Sequence, residues 1–296
     1  MLAQAFAPAK VNLFLHVGAP GDDGYHPLCS LMVFADLGDQ VSIAPAEALD
    51  FALTGPFARD LAGAGDNLVQ RAALALLQEV RGPRPPLMLA LDKQLPVAAG
   101  LGGGSSDAGA ALRLLRSVWA PEMSDDSLQD LAAALGADGA ACLWGAPVLA
   151  EGRGERLSPA PALPVMPAVL VNPRVSAPTG AVYSRFDALG AFGDVTPPPL
   201  PEAFETVEEV AGWLSFLRND LEAAAIDVAP AIGDVLSALR GEPETLAAQM
   251  SGSGATCFAL CASDIEAEQL AEGLERLRPH WWVRRCRLGG PWPDPA

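Results

Sequence analysis

A glycine-rich segment and two isolated lysines are the residues of this sequence best suited to chemistry. The segment reads Lys93-Gln94-Leu95-Pro96-Val97-Ala98-Ala99-Gly100-Leu101-Gly102-Gly103-Gly104-Ser105-Ser106-Asp107. Its glycines let backbone amides approach a ligand closely, and a helix that follows them turns its positive N-terminal end toward an anion. The pattern predicts a phosphate-binding loop, with a flexible turn before a helix as the alternative. The segment lacks the GK[ST] of a Walker A loop and the last glycine of GxGxxG.

Lys10 and Lys93 stand out because the other 17 of the 19 basic residues are arginines (19 − 2 = 17). Lys10 opens the first apolar run, within Ala7-Pro8-Ala9-Lys10-Val11-Asn12-Leu13. Asp138 is the single charge in the stretch 131–150. By pattern alone, Asp138 is either a helix-capping aspartate bonded to backbone amides or a functional carboxylate.

Composition excludes several classes of protein. The net charge of −17 (19 − 36) and the pI of about 4.4 argue against binding to nucleic acid or to anionic membranes. Stretch 131–150 has the length of a membrane span, but glycines, a proline and a central aspartate argue against insertion. Five cysteines without a CxxC pair and three scattered histidines predict neither structural zinc nor disulfides. Without a secretory signal, the chain is expected in the cytoplasm.

Hydrophobic spacing predicts the elements that must position these residues. Strands are expected at 11–17, 31–34, 41–43, 87–91, 165–171 and 256–261, and helices at 67–80, 105–119, 127–135, 203–217, 221–239 and 265–277. Strands and helices do not alternate strictly, so an α+β fold is favoured over a doubly wound sheet. The proline-rich stretch 158–164 is a domain boundary or a loop between strands. We predict domains at 1–157 and 158–296.

A third glycine- and serine-rich turn lies far along the chain, in Met250-Ser251-Gly252-Ser253-Gly254-Ala255-Thr256. The Lys10 segment, the glycine loop and this turn, in that order, resemble the motif set of the GHMP kinase superfamily. Further matching segments extend the resemblance over nearly the whole chain: 23–26, 36–39, 66–69, 136–138 and 219–222. The Gly24-Tyr25-His26 element resembles the branch of the superfamily that phosphorylates a CDP-linked methylerythritol in non-mevalonate isoprenoid biosynthesis.

The resemblance implies a two-domain GHMP kinase fold with the active site in the interdomain cleft. The N-terminal half would be ribosomal protein S5 domain 2-like, with a left-handed βαβ unit, and the C-terminal half ferredoxin-like. ATP, with Mg²⁺, would donate its γ-phosphoryl group to the tertiary 2-hydroxyl of the CDP-linked substrate. Partners would be these small molecules alone, with no nucleic acid and no membrane, and the chain would be a monomer or a weak homodimer.

Residue by residue, the resemblance implies that Lys10 and Asp138 are the catalytic pair. Asp138 would accept or orient the hydroxyl proton, and Lys10 would keep that carboxylate ionised. The implied ATP-binding residues are Lys93, Pro96, Val97, Ala98, Ala99, Gly100, Leu101, Gly102, Gly103, Gly104, Ser105, Ser106 and Asn67, of which Asn67 is equally well explained as a helix N-cap. The implied substrate-binding residues are Asn12, Tyr25, His26, Tyr183 and Asp138. Tyr25 and Tyr183 would stack on the cytosine, although Tyr183 also fits a half-buried strand aromatic. Metal ligands besides Asp138 are not evident.

Two segments depart from the family pattern. Ala98 replaces a usual glycine, and Gly139-Ala140-Ala141-Cys142 replaces a Val-Pro pair and large aromatics after Asp138. Two other functions remain open: another GHMP kinase of homoserine or mevalonate type, and an inactive nucleotide- or sugar-binding sensor. The presence of both Lys10 and Asp138 argues against the sensor.

Overall fold

A computed structural model describes residues 3–61 and 67–294, which form one mixed sheet flanked by helices. The strands are β1 (Ala3–Asn12), β2 (His16–Val17), β3 (Leu28–Pro45), β4 (Asp50–Thr54), β5 (Leu87–Asp92), β6 (Val148–Gly152), β7 (Arg156–Pro159), β8 (Met166–Asn172), β9 (Ala247–Met250), β10 (Cys257–Leu260) and β11 (Trp282–Gly289). The helices are α1 (Ala58–Leu61), α2 (Leu68–Glu79), α3 (Gly103–Trp119), α4 (Asp125–Leu135), α5 (Gly139–Trp144), α6 (Thr179–Leu189), α7 (Val207–Leu214), α8 (Glu222–Val228), α9 (Ala231–Gly241) and α10 (Asp264–Leu277). The predicted α+β class is confirmed.

Strand β3 connects the two halves of the molecule. Its 18 residues pair antiparallel with β1, β5 and β6 of the first half and with β11 at the end of the chain. The sequence predicted two short strands here, at 31–34 and 41–43, on either side of Asp36-Leu37-Gly38-Asp39. The segment stays extended because β1 pairs through it, with Pro8 opposite Gly38. A side chain at 38 would collide with Ala7, since a Cβ built there lies 2.2 Å from the Ala7 carbonyl oxygen.

The apolar core forms layers on the sheet. One layer packs α2, α3 and α4 against the first strands, around Val41, Val69 and Leu112. A second contains Phe14, Phe258 and Trp282, and a third lies beneath the later helices. This packing fixes both ends of β1 and the start of α3, the elements that carry the predicted catalytic lysine and the glycine loop.

Several predicted boundaries were wrong. The helix predicted at 203–217 spans only Val207–Leu214 because the Thr206 side chain accepts a hydrogen bond from the Glu209 amide and caps it. The helix predicted at 221–239 is two helices, α8 and α9, separated at Pro230, whose nitrogen cannot donate within a helix. The strand predicted at 11–17 is the end of β1 followed by the separate β2. Strands β4, β6, β7, β9 and β11 were not predicted.

The predicted domain boundary, between residues 157 and 158, falls within β7 and stays a prediction. Stretch 131–150 is divided among the end of α4, α5 and the start of β6. Across residues 3–61 and 67–294, no helix has the length and apolar character needed to cross a membrane.

Candidate active site

A cavity of about 1300 Å³ brings the predicted site residues together. Its walls come from the glycine loop, from the end of β1, from the loop before β3 and from α6. Every residue predicted for the site lines this cavity except Ser106. Ser106 is fully buried under the loop, next to the Cys142 thiol.

The glycine loop turns sharply into α3. Gly100 and Gly102 have φ values of 76° and 59°, in the left-handed region that favours glycine. Helix α3 begins at Gly103, two residues earlier than the predicted Ser105, so its first amides belong to the loop itself. A Cβ built on Gly102 would lie 3.1 Å from the Lys10 side chain, so glycine here keeps the loop close to the lysine. Ala98, which departs from the family pattern, also has a positive φ of 50°.

The third motif supports this loop from beneath. The Ser251 hydroxyl donates to the Gly100 carbonyl at 2.9 Å and accepts from the Asn12 amide at 3.1 Å. The Thr256 amide donates to the Ala99 carbonyl at 3.1 Å. Asn219 in turn donates to the carbonyls of Met250 and Gly252, both at 2.8 Å. Segments far apart in the sequence therefore act together to fix the conformation of one loop.

Lys10 and Asp138 meet in the cavity. The Lys10 ammonium lies 3.3 Å from Oδ2 of Asp138 and donates to Oδ1 of Asn12 at 2.6 Å. The Lys10 side chain is 4% exposed and that of Asp138 is 32% exposed, so only the carboxylate opens to a ligand. Asn12 is oriented by its own hydrogen bond to Ser30, at 2.7 Å. This arrangement places a buried ammonium beside a carboxylate that a ligand can reach.

Asp138 precedes α5 but makes no capping hydrogen bond within the described residues, so the capping alternative is wrong.

The departure from the family pattern at residues 139–142 has a packing reason. A Cβ built on Gly139 would lie 1.8 Å from the Ala132 carbonyl oxygen, so only glycine lets α5 pack this closely on α4. The small residues that follow are buried against the loop, where the Cys142 thiol lies 3.9 Å from the Gly102 carbonyl. Burial raises the pKa of Cys142 to about 12, which keeps it an uncharged packing group.

Lys93 lies directly beneath the start of α3. Its ammonium contacts Oδ2 of Asp39 at 2.5 Å and Oδ2 of Asp107 at 2.7 Å, and all three side chains are almost fully buried. Burial opposes the charge on Lys93, but the two carboxylates outweigh it and raise its pKa. Burial raises the pKa of Asp107 well above its usual range. A protonated Asp107 would leave this buried triad neutral. Direct contact of Lys93 with ATP stays a prediction, since its ammonium is already held by two carboxylates.

Aromatic and imidazole rings form the other end of the cavity. Tyr25 is 60% exposed, and the rings of His26 and Tyr183 lie 5.2 Å apart. The His26 ring contacts the Gly18 carbonyl at 2.8 Å through Nδ1 and the Asp187 carboxylate at 3.1 Å through Nε2. Tyr183 lies on helix α6, so the strand alternative is wrong. Burial, together with the nearby Asp138 carboxylate, raises the pKa of Tyr183 to about 12. The two tyrosines and His26 give this end the faces and polar edges that a nucleobase requires.

Two further residues complete the cavity wall. The Asn67 side chain accepts from the Val69 amide at 2.8 Å, which confirms the N-cap, and Asn67 also faces the cavity. Asp66, which belongs to the same matching segment, lies outside the described residues. Sequence reasoning missed Arg153, whose guanidinium lies 4.4 Å from the centre of the Tyr25 ring. Its signal was weak because the turn between β6 and β7 was not predicted.

Comparisons with known proteins agree on one family. The model for the GHMP kinases N terminal domain matches residues 67–146, and the model for the GHMP kinases C terminal domain matches residues 200–279. A 4-diphosphocytidyl-2-C-methyl-D-erythritol kinase from Caulobacter sp. (strain K31) is 63% identical over 98% of this chain and 100% of its own length. A protein of the same name from Hyphomonas neptunium is 47% identical over 96% of both chains.

Solved structures extend the likeness to the fold. A crystal structure of 4-(cytidine 5'-diphospho)-2C-methyl-D-erythritol kinase matches with a TM-score of 0.78 and 34% identity, over 98% of this chain and 100% of the other. A homoserine kinase from Cytophaga hutchinsonii matches with a TM-score of 0.64 over 97% of this chain and 94% of its own. At 19% identity, this second likeness shows the fold alone.

Proposed function

This chain belongs to the GHMP kinase family, and from that premise we propose that it transfers the γ-phosphoryl group of ATP to the 2-hydroxyl of 4-diphosphocytidyl-2-C-methyl-D-erythritol. The products are ADP and the 2-phosphate of the substrate. The observation that carries the proposal is one cavity that joins a phosphate-type loop, the Lys10–Asp138 pair and an aromatic nucleobase end. The relatives named for this activity are matched over almost their full length.

Each part of the cavity has one role in the proposed reaction. The amides at the start of α3 and the glycine loop receive the phosphates of ATP, because a helix N-terminus favours negative charge. Asp138 accepts or orients the proton of the attacking hydroxyl, and the Lys10 ammonium lies beside that carboxylate and offsets charge on the transferred group. Phosphoryl transfer requires mainly the positioning of the reactants and the neutralisation of phosphate charge, so these parts are sufficient for the reaction.

Mg²⁺ is expected with ATP, and the residues fit a metal carried largely by the nucleotide. Among the described residues, no three His, Cys, Asp or Glu side chains cluster into a protein cage. Magnesium bound with nucleotides commonly uses one or two protein oxygens besides phosphates and waters. Asp138 and the Ser105 hydroxyl would hold it, since both residues line the cavity and Ser105 lies beside residue 136. The ion would supply neutralisation of phosphate charge.

At the nucleobase end, Tyr25 and Tyr183 stack on the cytosine. His26 bonds to its edge when the base replaces the Asp187 carboxylate at Nε2, while Nδ1 stays on the Gly18 carbonyl. Stacking on aromatic faces contributes about 1–3 kcal/mol per base. Asn12, which holds the Lys10 ammonium, faces the same cavity and stays assigned to the substrate side.

All five cysteines are buried and free, which supports the predicted cytoplasmic location.

The test is an ADP-release assay with ATP, Mg²⁺ and a short panel of alcohols. We expect turnover of the CDP-linked methylerythritol, and mass spectrometry with ³¹P NMR should place the new phosphate on the 2-hydroxyl. Turnover of homoserine or mevalonate without the CDP compound would overturn the substrate assignment. ATP binding without release of ADP for any alcohol would instead support an inactive sensor.

A further inference from the structure

Arg153 is a cation in the substrate half of the cavity. It lies in the turn between β6 and β7, and its side chain is 53% exposed. Among the described residues that line the cavity, the permanent cations are Lys10, Lys93 and Arg153. Lys10 is bound to Asp138 and Asn12, and Lys93 is enclosed by two buried carboxylates. Of these three cations, Arg153 is the one whose side chain is largely open to solvent.

The position of this turn links the two ends of the substrate site. At one end, the Arg153 guanidinium stacks over the Tyr25 ring at 4.4 Å and pairs with the Asp23 carboxylate. At the other end, a Cβ built on Gly154 would lie 3.1 Å from the carbonyl oxygen of Ala137, the residue before Asp138. The turn thus runs from the nucleobase end of the cavity to the neighbour of the catalytic carboxylate.

The proposed substrate has a diphosphate at the corresponding place. In that molecule the diphosphate is the covalent link between the cytidine and the sugar alcohol. With cytosine at Tyr25 and the hydroxyl at Asp138, the link must lie between them, along the Arg153 turn. Glu155 and Asp187 also line this part of the cavity, so a dianionic link needs a local cation to offset their repulsion.

Resting on the proposed function, we infer that Arg153 binds the diphosphate of the CDP-linked substrate and thereby makes the site specific for a nucleoside diphosphate. A guanidinium has five donors in a planar fork and binds phosphate through two of them at once. Its contact with Asp23 uses Nη2 and is half exposed, so this pair is a weak competitor for the phosphate oxygens. The stacked Tyr25 ring orients the fork while leaving its edge to the ligand.

The experiment compares CDP with cytidine, since only CDP carries the diphosphate. Calorimetric titration measures both ligands on the wild type, on Arg153→Gln and on Arg156→Gln. Arg156 is the matched control because it lies on the same hairpin, is 68% exposed and is not among the residues that line the cavity. We expect Arg153→Gln to weaken CDP by about tenfold or more, as for loss of a charge-assisted hydrogen bond, with cytidine within about twofold. Arg156→Gln should change neither.

Kinetics should agree, with a higher KM for the CDP-linked substrate and an unchanged KM for ATP in Arg153→Gln. Equal weakening of CDP and cytidine would show that Arg153 merely supports Tyr25 and would overturn the inference, as would no change in either.

If Arg153→Gln folds poorly, Arg153→Lys keeps the charge without the fork. It should lose about threefold or more in CDP affinity, and an unchanged value would again overturn the inference. If the wild type turns over the CDP-linked substrate and Arg153→Gln has the same KM for it, only the inference about Arg153 is refuted. A wild type that neither binds CDP nor turns over this substrate refutes the proposed function as well.

Discussion

The Lys10 ammonium lies 3.3 Å from Oδ2 of Asp138, with the lysine almost fully buried and the carboxylate one-third exposed. The asymmetry matters because the buried cation has two partners, Asp138 and Asn12, while the carboxylate retains an open side toward the cavity. The lysine comes from the end of β1 and the aspartate from the residue before α5. Packing of α5 on α3 and α4 thus sets the distance between the two groups.

Replacing Asp138 by Asn should remove proton acceptance while keeping the shape of the side chain. We expect kcat for ADP release to fall by about 10²- to 10⁴-fold, the usual contribution of a general base. ATP should still bind at saturating Mg²⁺, because the glycine loop and α3 are the proposed phosphate site and excess metal offsets the loss of one proposed Mg²⁺ ligand. Asp126→Asn, on the exposed first turn of α4, is the control and should keep full activity. A variant of Asp138 with the wild-type rate would rule out the base role.

Gly100→Ala tests the conformation of the loop. Gly100 has a φ of 76°, and a Cβ there would lie 2.3 Å from the Ser251 carbonyl oxygen. Gly190 has a similar φ of 64° with no atom within 4 Å of a built Cβ, so Gly190→Ala is the matched control. The control should lose about 1–2 kcal/mol of unfolding free energy from the left-handed backbone alone. Gly100→Ala should lose more and raise the KM for ATP, as measured by urea unfolding and kinetics. Equal losses in the two variants would contradict the packing argument.

The chemistry of the site was more predictable than its supports. Lys10 and the glycine loop were found because rare lysines and glycine spacing are local signals. Tyr25-His26 was found through its resemblance to a family motif, and all of these residues line one cavity. The capping role of Asp138 could be rejected only once the structure showed its carboxylate beside Lys10 and without a capping hydrogen bond among the described residues. The break at Pro230 was visible in the sequence, since proline cannot continue a helix hydrogen-bond ladder.

Long-range contacts explain what the sequence could not reveal. Asp39 lies between the two short strands predicted from the sequence, and its burial beside Lys93 depends on the pairing of β1 with β3. Arg153 became a candidate only when the β6–β7 turn was placed against Tyr25. Neither contact leaves a periodic or compositional trace, because the partners come from separate elements.

Substitutions at Tyr183 separate stacking from simple packing. Tyr183→Phe keeps the ring, and the hydroxyl is already uncharged because burial and Asp138 raise its pKa to about 12. This variant should keep the KM for the CDP-linked substrate within about twofold, since base stacking needs only the ring face. Tyr183→Leu should raise that KM roughly 5- to 150-fold, the equivalent of about 1–3 kcal/mol of stacking. A Tyr183→Leu variant that lowers only the melting temperature would identify Tyr183 as a packing residue.

The buried Asp107 should make stability depend on pH in a defined direction. Burial raises the pKa of Asp107 in the folded protein well above its usual range, so the folded chain keeps this proton at a pH where the unfolded chain has lost it. Stability from this group is therefore present below the ordinary Asp pKa and is lost as the pH rises toward the folded pKa. Asn at 107 cannot ionise and still offers an oxygen to Lys93, whose ammonium is 2.7 Å away.

The unfolding free energy of Asp107→Asn, relative to wild type, should therefore rise between about pH 4 and pH 7, by up to about 1.4 kcal/mol per pH unit where the two states differ by a full proton. Asp107→Ala should show the same slope with a lower offset, because it also removes the oxygen that accepts a hydrogen bond from the buried Lys93 ammonium. Urea unfolding across this pH range measures both curves. A relative stability that falls with pH would mean that Asp107 is ionised in the fold, and the triad would then carry a net negative charge beneath the loop that we propose to bind phosphate.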